Sequence, residues 1–350
     1  MKKIDSYTNS CLSCFRRCPR EFENRYALQL EREGDDREVL RVGSAWHHAH
    51  DVRTKSAQAA ALHTGPDVSA QGYAGEPAVQ ISGYDAIDRR APGDTWKEKL
   101  KRLLAAYDWF WSEREVEIVE SEHTFEYELD GTVRRGQIDG IVKQNGRVGI
   151  LERKTSGEDI ADGSPFWARQ RMGSQVSFYD KAFREITGEA PAFTLYDVVR
   201  KPTIRAKALT KAEVKRMRAE VAADGPGIYF TEEFDEESLE GAVFHGKETL
   251  KMYGARLTAD IGDRPSFYFN RSLVPRTNLD IEQAELDTQG TIQLIETAYG
   301  LERFPKNPDA CATFGLCDFF PVCSNNVDPR EGVPSGYARR EHLHPELDDK

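Results

Sequence analysis

The chain has 350 residues, enough for two domains or for one core with large insertions. It carries 48 Lys and Arg against 59 Asp and Glu, a formal net charge of −11, and no apolar run approaches the ~20 residues that a bilayer span requires. This composition excludes a membrane-spanning protein and a uniformly basic nucleic-acid-coating protein, but it leaves room for a local basic groove. The first residues lead into polar sequence rather than an apolar signal core, so we expect a cytoplasmic location.

The cysteines form two clusters at opposite ends of the chain. The first cluster comprises Cys11, Cys14 and Cys18, and the second comprises Cys311, Cys317 and Cys323. In a reducing compartment, clustered thiols more often bind metal than form disulfides. The pattern therefore indicates a metal site.

The amino-terminal third has mostly helical patterns. Residues 10–30 predict a helix with its first residue as the N-cap and a break at Pro19. A second helix carries residues 42–48, and residues 55–94 are rich in Ala, Gly, Pro and Ser, which predicts a loop-rich insertion or loosely packed helices. Helical spacing returns over residues 96–112.

The period then changes to two over residues 116–129, 132–143 and 147–155. Asp-Gly at 130–131 and Asn-Gly at 145–146 predict tight turns between these strands, and hence an antiparallel meander. Four further segments follow: a helix over 166–186, a strand over 193–199, a basic stretch over 200–205, and a mostly helical remainder to about residue 299.

The second predicted hairpin brings two carboxylates together. If the Asn-Gly pair forms a two-residue turn, residues whose numbers sum to 291 face each other, so Asp139 lies opposite Glu152 with Cβ atoms about 4.5 to 5.5 Å apart. Lys154 projects from the same face. Opposed carboxylates beside an ammonium suit a hard divalent cation, which could activate water against a phosphoryl group. The alternative, favoured on spacing alone, is a surface charge cluster on an exposed strand face.

Five elements in order resemble the PD-(D/E)XK nuclease superfamily, in its RecB-like branch. They are the Asp of Gly136-Gln137-Ile138-Asp139, the ExK of Leu151-Glu152-Arg153-Lys154, the Cys18-Pro19-Arg20 segment with Tyr26, the GxxxH of Gly43 to His47, and the QxxxY of Gln175 to Tyr179. One departure is Ile138, which stands where the superfamily name has Pro. The resemblance implies an α/β fold: a restriction-endonuclease-like mixed sheet core flanked by helices, with a helical iron-sulfur cap.

The resemblance also implies roles for individual residues. A Mg²⁺ or Mn²⁺ ion would be held by His47, Asp139, Glu152 and the backbone carbonyl of Arg153. The catalytic set would be Asp139, Glu152, Lys154, Gln175 and Tyr179, with the last two sharing one helical face that supports Lys154 or touches DNA. Without the resemblance, His47 would be read as a solvated or core-packed helix residue.

A 4Fe-4S cluster is implied at the cysteines Cys18, Cys311, Cys317 and Cys323, which would join the two ends of the chain. The C-x5-C-x5-C spacing of the second cluster departs from relatives with a closer first pair. An all-thiolate zinc site is the alternative. Cys11 and Cys14 are then spare, and we expect them to be small buried apolar residues.

These elements divide the chain into four parts: an amino-terminal helical segment over 1–112, the nuclease core over 113–210, a carboxy-terminal helical region over 211–330 and a polar tail over 331–350. Residues 241–248 mimic a phosphate-binding loop, but Glu248 replaces the required Ser or Thr. We therefore expect no nucleotide cofactor.

The predicted function is metal-dependent DNA exonuclease action on single-stranded ends, in recombination, repair or phage-type DNA processing. The alternatives are a structure-specific endonuclease and a non-catalytic DNA-binding or assembly subunit. The expected partners are DNA and a separate helicase or recombination protein, with no membrane. The DNA-binding candidates are basic residues near these motifs: Arg16, Arg17, Arg20, Arg135, Arg171, Arg200, Lys201 and Arg205.

Overall fold

The structure, a computed structural model, describes residues 3–34, 38–64, 77–113, 116–222, 227–230, 232–313 and 315–347. Within these ranges, the helices all lack the combination of length and apolar character that would let one cross a membrane.

Ten strands lie in the described residues. They are β1 (Ser6–Tyr7), β2 (Leu30–Arg32), β3 (Glu117–Leu129), β4 (Thr132–Gln144), β5 (Arg147–Ser156), β6 (Thr194–Arg200), β7 (Gly227–Tyr229), β8 (Glu232–Phe234), β9 (Phe269–Leu273) and β10 (Tyr337–Arg339).

Thirteen α-helices lie in the same described ranges. They are α1 (Asn9–Arg17), α2 (Pro19–Phe22), α3 (Glu38–Thr64), α4 (Pro77–Arg90), α5 (Asp94–Trp111), α6 (Pro165–Met172), α7 (Ser174–Thr187), α8 (Lys211–Ala222), α9 (Glu236–His245), α10 (Leu250–Asp263), α11 (Pro265–Tyr268), α12 (Asn278–Gly300) and α13 (Phe320–Ser324). A π-helix over Glu23–Ala27 continues α2.

Six strands form one mixed sheet in which β4 is central. Strand β4 pairs antiparallel with β3 and β5, and its first residues pair parallel with β1. Strand β5 pairs parallel with β6, which pairs antiparallel with β9 at the edge. The predicted antiparallel meander is therefore confirmed, within a larger mixed sheet.

Helices cover the sheet through two large apolar clusters. In one cluster, side chains of α1, α7 and α12, such as Phe15, Phe183 and Ile295, pack with strand residues. In the other, α3, α5 and α10 contribute Trp46 and Leu257 among others, beside Phe269 of β9. This helix-flanked mixed sheet confirms the expected α/β, restriction-endonuclease-like architecture.

The second hairpin has the predicted turn and register. Asn145 and Gly146 have φ of 53° and 76°, the left-handed values that a type I′ turn requires at both central residues. The pairs run from Gln144 with Arg147 to Gly140 with Leu151, and each pair sums to 291. The predicted register is thus confirmed as far as the pair Gly140 and Leu151, and the next pair in the same register is Asp139 and Glu152.

The amino-terminal half differs from expectation at one cap. The N-cap of α1 is Thr8 rather than Ser10, since the Thr8 side chain accepts from the Cys11 backbone N–H at 3.1 Å. Of the two predicted forms for the 55–94 stretch, the described residues take the helical one, because α3 runs to its end at residue 64 and α4 starts at residue 77. Small side chains such as Ala86, fully buried, let these helices pack closely without a broad apolar stripe. Residues 65–76 of that prediction lie outside the described residues.

Two further differences concern short strands and one helix. The predicted 166–186 helix is divided at Gly173 into α6 and α7. Strand β9 falls in a region predicted to be mostly helical, and β10 falls in the predicted polar tail, where it pairs with β2 and buries Tyr337. Strands of three to five residues are too short to show a period.

Candidate active site

Three carboxylates lie side by side across β3, β4 and β5. The pairs Ser121 with Gly140 and His123 with Ile138 bracket Glu122 on β3, and set it opposite Asp139. On the other side, the register of β4 with β5 sets Asp139 opposite Glu152. Asp139 is 4% exposed and Glu152 is fully buried. The sheet thereby concentrates negative charge in a poorly solvated place.

Helix α3 brings His47 onto this row. Its Nδ1 atom lies 3.3 Å from Asp139 Oδ1 and 3.7 Å from Glu122 Oε1. One ligand atom from each of the three residues lies within 4.8 Å of the other two. One turn earlier, a Cβ on Gly43 would contact the Thr155 hydroxyl at 3.4 Å, so the helix and β5 approach each other closely here. The GxxxH motif thus brings α3 against β5 at Gly43 and places the His47 ring beside Asp139 and Glu122.

Glu122 was absent from the sequence prediction, although the first hairpin turn could have indicated it. In that hairpin, whose turn residues Asp130 and Gly131 have positive φ, the numbers of paired residues sum to 261, so the partner of Asp139 is residue 122. Glu122 itself has φ of 52°, which is costly for a residue with a side chain and is found most often at functional sites. The Gln137 side chain donates to the Glu122 carbonyl at 3.3 Å, which helps to hold this conformation.

On the other side of the row, Lys154 links the carboxylates to α7. Its ammonium forms a salt bridge with Glu152 and donates to Gln175 Oε1 at 2.7 Å. The Gln175 amide in turn donates to the Tyr179 hydroxyl at 3.0 Å. The structure therefore brings together the predicted Glu152, Lys154, Gln175 and Tyr179, with the QxxxY pair bracing the lysine.

Burial and neighbouring charge shift the protonation equilibria of this group. Burial raises the pKa of Glu152 to about 7, with Lys154 opposing the rise and Asp139 adding to it. Burial lowers the pKa of Lys154, but the Glu152 and Asp139 carboxylates outweigh that effect and leave it raised. Burial, together with the same two carboxylates, also raises the pKa of Tyr179, which stays a neutral phenol. Lys154 is therefore cationic at neutral pH.

The donor set fits a hard divalent cation. Both carboxylate oxygens of Glu122 are buried without a hydrogen-bond partner among the described residues. Three carboxylates face a single ammonium, so the row keeps excess negative charge that a cation would neutralise. Carboxylate donors of this kind suit Mg²⁺ or Mn²⁺. Glu122, Asp139 and His47 bring their ligand atoms close enough together to hold the ion, and the place of Glu152 among the ligands stays a prediction.

Arg153 contributes to the site through its backbone N–H, which donates to Asp139 Oδ2 at 2.7 Å. Its side chain is 1% exposed, and one guanidinium nitrogen lies 3.3 Å from the Asp139 carbonyl. These bonds fix the Asp139 carboxylate between its two neighbours. The role predicted for the Arg153 carbonyl stays a prediction.

The two cysteine-bearing ends of the chain pack together. The Arg20 N–H donates to the Pro305 carbonyl at 3.1 Å, and Arg25 pairs with Asp318 at 2.5 Å. Burial raises the pKa of the Cys323 thiol, and the nearby thiols of Cys18 and Cys311 raise it further. The Cys317 N–H donates to the Cys311 carbonyl at 2.8 Å. The four predicted cysteines thus occupy one region.

Cys11 and Cys14 lie in the core instead, as expected of spare residues. They are 0% and 4% exposed and pack in the apolar cluster that includes Phe15 and Phe22.

Several predicted DNA-binding residues already have carboxylate partners. Arg17 pairs with Glu21, Arg20 with Glu23, Arg135 with Glu126, and Arg200 with Asp159. Their positive charge is partly neutralised, which weakens their case as phosphate ligands. Arg16 donates to the Ser174 hydroxyl at 3.1 Å, one residue before Gln175. Arg171 and Arg205 are exposed, and Lys201 is half-buried.

The segment that mimics a phosphate-binding loop has a structural role. Its first five residues, 241–245, form the end of α9, and Gly246 caps that helix with φ of 67°. Glu248 is 3% exposed and pairs with Arg256 at 2.6 Å.

Comparison with known proteins gives three findings. The profile of the PD-(D/E)XK nuclease superfamily matches residues 6–324. A search of curated proteins found no match. The chain is similar to the crystal structure of SSO0001 at 13% identity, covering 94% of this chain and 90% of that one, with a TM-score of 0.30 that is too low to carry an argument.

The superfamily match spans most of the chain, and the predicted Asp and ExK residues meet in one buried site beside His47. The chain therefore belongs to the PD-(D/E)XK nuclease superfamily and is a metal-dependent nuclease.

Proposed function

We propose that this nuclease is a Mg²⁺- or Mn²⁺-dependent DNA exonuclease that hydrolyses phosphodiester bonds at single-stranded ends. The observation that supports a catalytic role is the row of three buried carboxylates, with His47 on one side and Lys154 on the other. The choice of exonuclease over endonuclease is supported by the RecB-like order of the motifs. We propose recombination, repair or phage-type DNA processing as its setting, with a separate helicase or recombination protein as partner.

Each side chain of the site would have a distinct role in the reaction. A bound cation would supply Lewis acidity at a phosphoryl oxygen and a more acidic water. Glu122, Asp139 and His47 would orient that ion from one side, while the Arg153 N–H keeps Asp139 in place. Lys154, cationic at neutral pH, would orient the attacking water or the phosphate through Nζ, because a protonated amine cannot act as the base. Gln175 and Tyr179 fix the direction of that ammonium.

Replacing Lys154 by Met should reduce DNA cleavage by about a thousandfold, since the substitution keeps the stem but removes the charge that orients the reacting groups. The assay uses end-labelled linear and circular single-stranded DNA with Mn²⁺, comparing the parent with Lys154→Met and with Lys143→Met, an exposed lysine on the same sheet. Parent and control should degrade only the linear DNA. Cleavage of the circle would favour the endonuclease alternative, and binding without any cleavage would favour the non-catalytic one. An unimpaired Lys154→Met protein would refute the assigned role.

Replacing Glu122 by Gln should weaken Mn²⁺ binding by about tenfold or more while leaving the metal-free protein at least as stable as the parent. The substitution removes a buried carboxylate that has no hydrogen bond, and so relieves repulsion when the cation is absent. Calorimetric titration gives the affinity, and melting in EDTA gives the stability. Glu128→Gln, at an exposed position on the same strand, is the control. Equal Mn²⁺ affinity in the two variants would contradict the assignment.

Mn²⁺ affinity should fall as pH drops below about 7. The pKa of Glu152 is raised to about 7, so below that value the carboxyl holds a proton that the cation must displace. Each competing proton costs about tenfold in affinity per pH unit. Titrations from pH 5.5 to 8.5 measure the slope, and Glu152→Gln should reduce it by about one proton. A constant affinity across that range would rule out Glu152 as a ligand.

We also propose that Cys18, Cys311, Cys317 and Cys323 hold a 4Fe-4S cluster that ties the carboxy-terminal segment to the amino-terminal helices. The thiols lie in one region, as the electrostatic interactions of Cys323 with Cys18 and Cys311 indicate. An all-thiolate zinc site is the alternative, because the same four thiolates suit either group.

Protein purified without oxygen should then be brown and absorb near ~400 nm. Cys323→Ser should lose the colour and lower the melting temperature, whereas Cys11→Ala, at a core position, should keep the colour. A colourless parent protein that holds one equivalent of zinc would establish the alternative.

A further inference from the structure

The junction between α6 and α7 lies directly before Gln175. Helix α6 ends at Met172 and α7 begins at Ser174, and Gly173 between them has no side chain with which to cap either helix. Helix ends leave backbone groups without intrahelical partners, so such a junction needs bonds from other elements. Gln175, the second residue of α7, accepts from Lys154 Nζ at 2.7 Å. The junction therefore sets where the acceptor for that lysine lies.

Arg276, in the loop between β9 and α12, ties α6 and α7 together. Its Nη2 atom donates to the Gln170 carbonyl at 2.9 Å and to the Gly173 carbonyl at 3.1 Å. Its Nε atom donates to the hydroxyl of Ser177, the fourth residue of α7, at 3.0 Å. Gln175 therefore lies between two residues that Arg276 holds, and each of them is two positions away.

The backbone of Arg276 is itself held on both sides. Two residues earlier, the buried Val274 donates its N–H to the Thr194 carbonyl at 3.0 Å, next to the pairing of β9 with β6. The residue that follows, Thr277, caps α12 in a capping box with Asp280. A side chain that extends from a fixed backbone loses less conformational freedom when it holds a neighbouring element in place.

The hydrogen bonds of Arg276 favour a supporting role over phosphate binding. A guanidinium has five N–H donors. Besides the three bonds to α6, Gly173 and α7, an Nη1 N–H of Arg276 donates to the Pro275 carbonyl at 3.3 Å, so four of the five donors have acceptors within the chain. A bidentate grip on a phosphate needs two parallel N–H groups, and only one remains.

We propose that Arg276 is a positioning residue for DNA cleavage, which holds the start of α7 so that Gln175 directs Lys154 toward the reacting groups. The inference rests on the proposed role of Lys154. The contacts run from the guanidinium through the two held residues to Gln175, and from there to Lys154 Nζ. A displacement of about 1 Å can cost about a hundredfold in rate, even when the substituted residue is remote from the chemistry.

Replacing Arg276 by Met should lower the maximal single-turnover rate of cleavage of end-labelled single-stranded DNA by about tenfold to a hundredfold with saturating Mn²⁺. The Mn²⁺ affinity and the protein concentration that gives half the maximal rate should stay within about twofold of the parent, because the metal ligands are untouched. Arg147→Met is the matched control, since this exposed arginine at the start of β5 also donates to a backbone carbonyl, that of Ala192 at 3.2 Å. The control should cleave as fast as the parent.

Combination with Gln175→Met separates positioning from a general loss of structure. Once the Gln175 amide is absent, Arg276→Met should slow cleavage by less than about threefold further, because the amide that it positions is gone. Together with Glu122→Gln, which alters the metal side of the site, Arg276→Met should keep its full effect of about tenfold or more. Ser177→Ala is a milder variant that removes one of the four bonds, and its rate should fall between those of the parent and Arg276→Met. Melting curves show whether each variant is folded.

A folded Arg276→Met protein that cleaves at the parent rate overturns the inference. Weaker DNA binding at an unchanged maximal rate makes Arg276 a phosphate ligand, and equal losses in the Gln175→Met and Glu122→Gln backgrounds make its role structural alone, so both results overturn it too. If Arg276→Met does not fold, Ser177→Ala decides, and a parent rate overturns the inference. In all these cases an inactive Lys154→Met protein leaves the proposed function standing, whereas an active one refutes both.

Discussion

Repulsion among three adjacent carboxylates is the constraint on which the site depends. Two unit charges 4 Å apart in a poorly solvated region interact by about 4 kcal/mol, and here the sheet register places Asp139 between two such neighbours. A strand pairing cannot slip to relieve this, because a one-residue slip would turn every buried side chain of β4 to the other face. The apolar clusters on both faces of the sheet therefore hold the acids together, Lys154 offsets part of the repulsion, and a bound cation would offset more of it.

The helices on the two sides of the carboxylate row act on its charge in different ways. Helix α3 supplies the imidazole of His47 on one side of the carboxylate row, and it passes close to β5 at Gly43, where an added Cβ would be in van der Waals contact with the Thr155 hydroxyl. Helix α7 contributes uncharged side chains to the site. Its Gln175 and Tyr179 only direct Lys154, so the ammonium is aimed by hydrogen bonds on one side and drawn by Glu152 on the other.

Much of this site was readable from turn chemistry alone. The Asn145-Gly146 turn gave the register of Asp139 with Glu152, and the Asp130-Gly131 turn carries the same information about Glu122. Glu122 was missed because the family motifs name Asp139 on β4 and Glu152 and Lys154 on β5 but no residue of β3. The carboxylate partners of three arginines were readable as well. Arg17 and Glu21 are four residues apart across the junction of α1 and α2, Arg20 and Glu23 are three residues apart in the helical stretch that follows, and the residue numbers of Arg135 and Glu126 sum to 261, as those of the other pairs of β3 with β4 do.

Other features depend on contacts that local patterns do not encode. The edge strand β9 has five residues and owes its conformation to pairing with β6, and β10 is fixed by β2. Neither strand is long enough for an alternation of apolar and polar residues to distinguish it from a loop in the sequence. The positive φ of Glu122 also arises from tertiary context, since Gln137 on the neighbouring strand satisfies its carbonyl.

The net charge of −11 acquires a specific distribution in the fold. Some acids neutralise nearby arginines, three converge on the site, and five lie on α12 with no basic residue among them. A phosphodiester approaching this body would meet repulsion from α12 and from the carboxylate row itself. A cation bound to that row, with Lys154 beside it, would reverse the local sign. The ion that would activate water would then also admit the substrate, so we propose that occupancy of the metal site governs both DNA entry and hydrolysis.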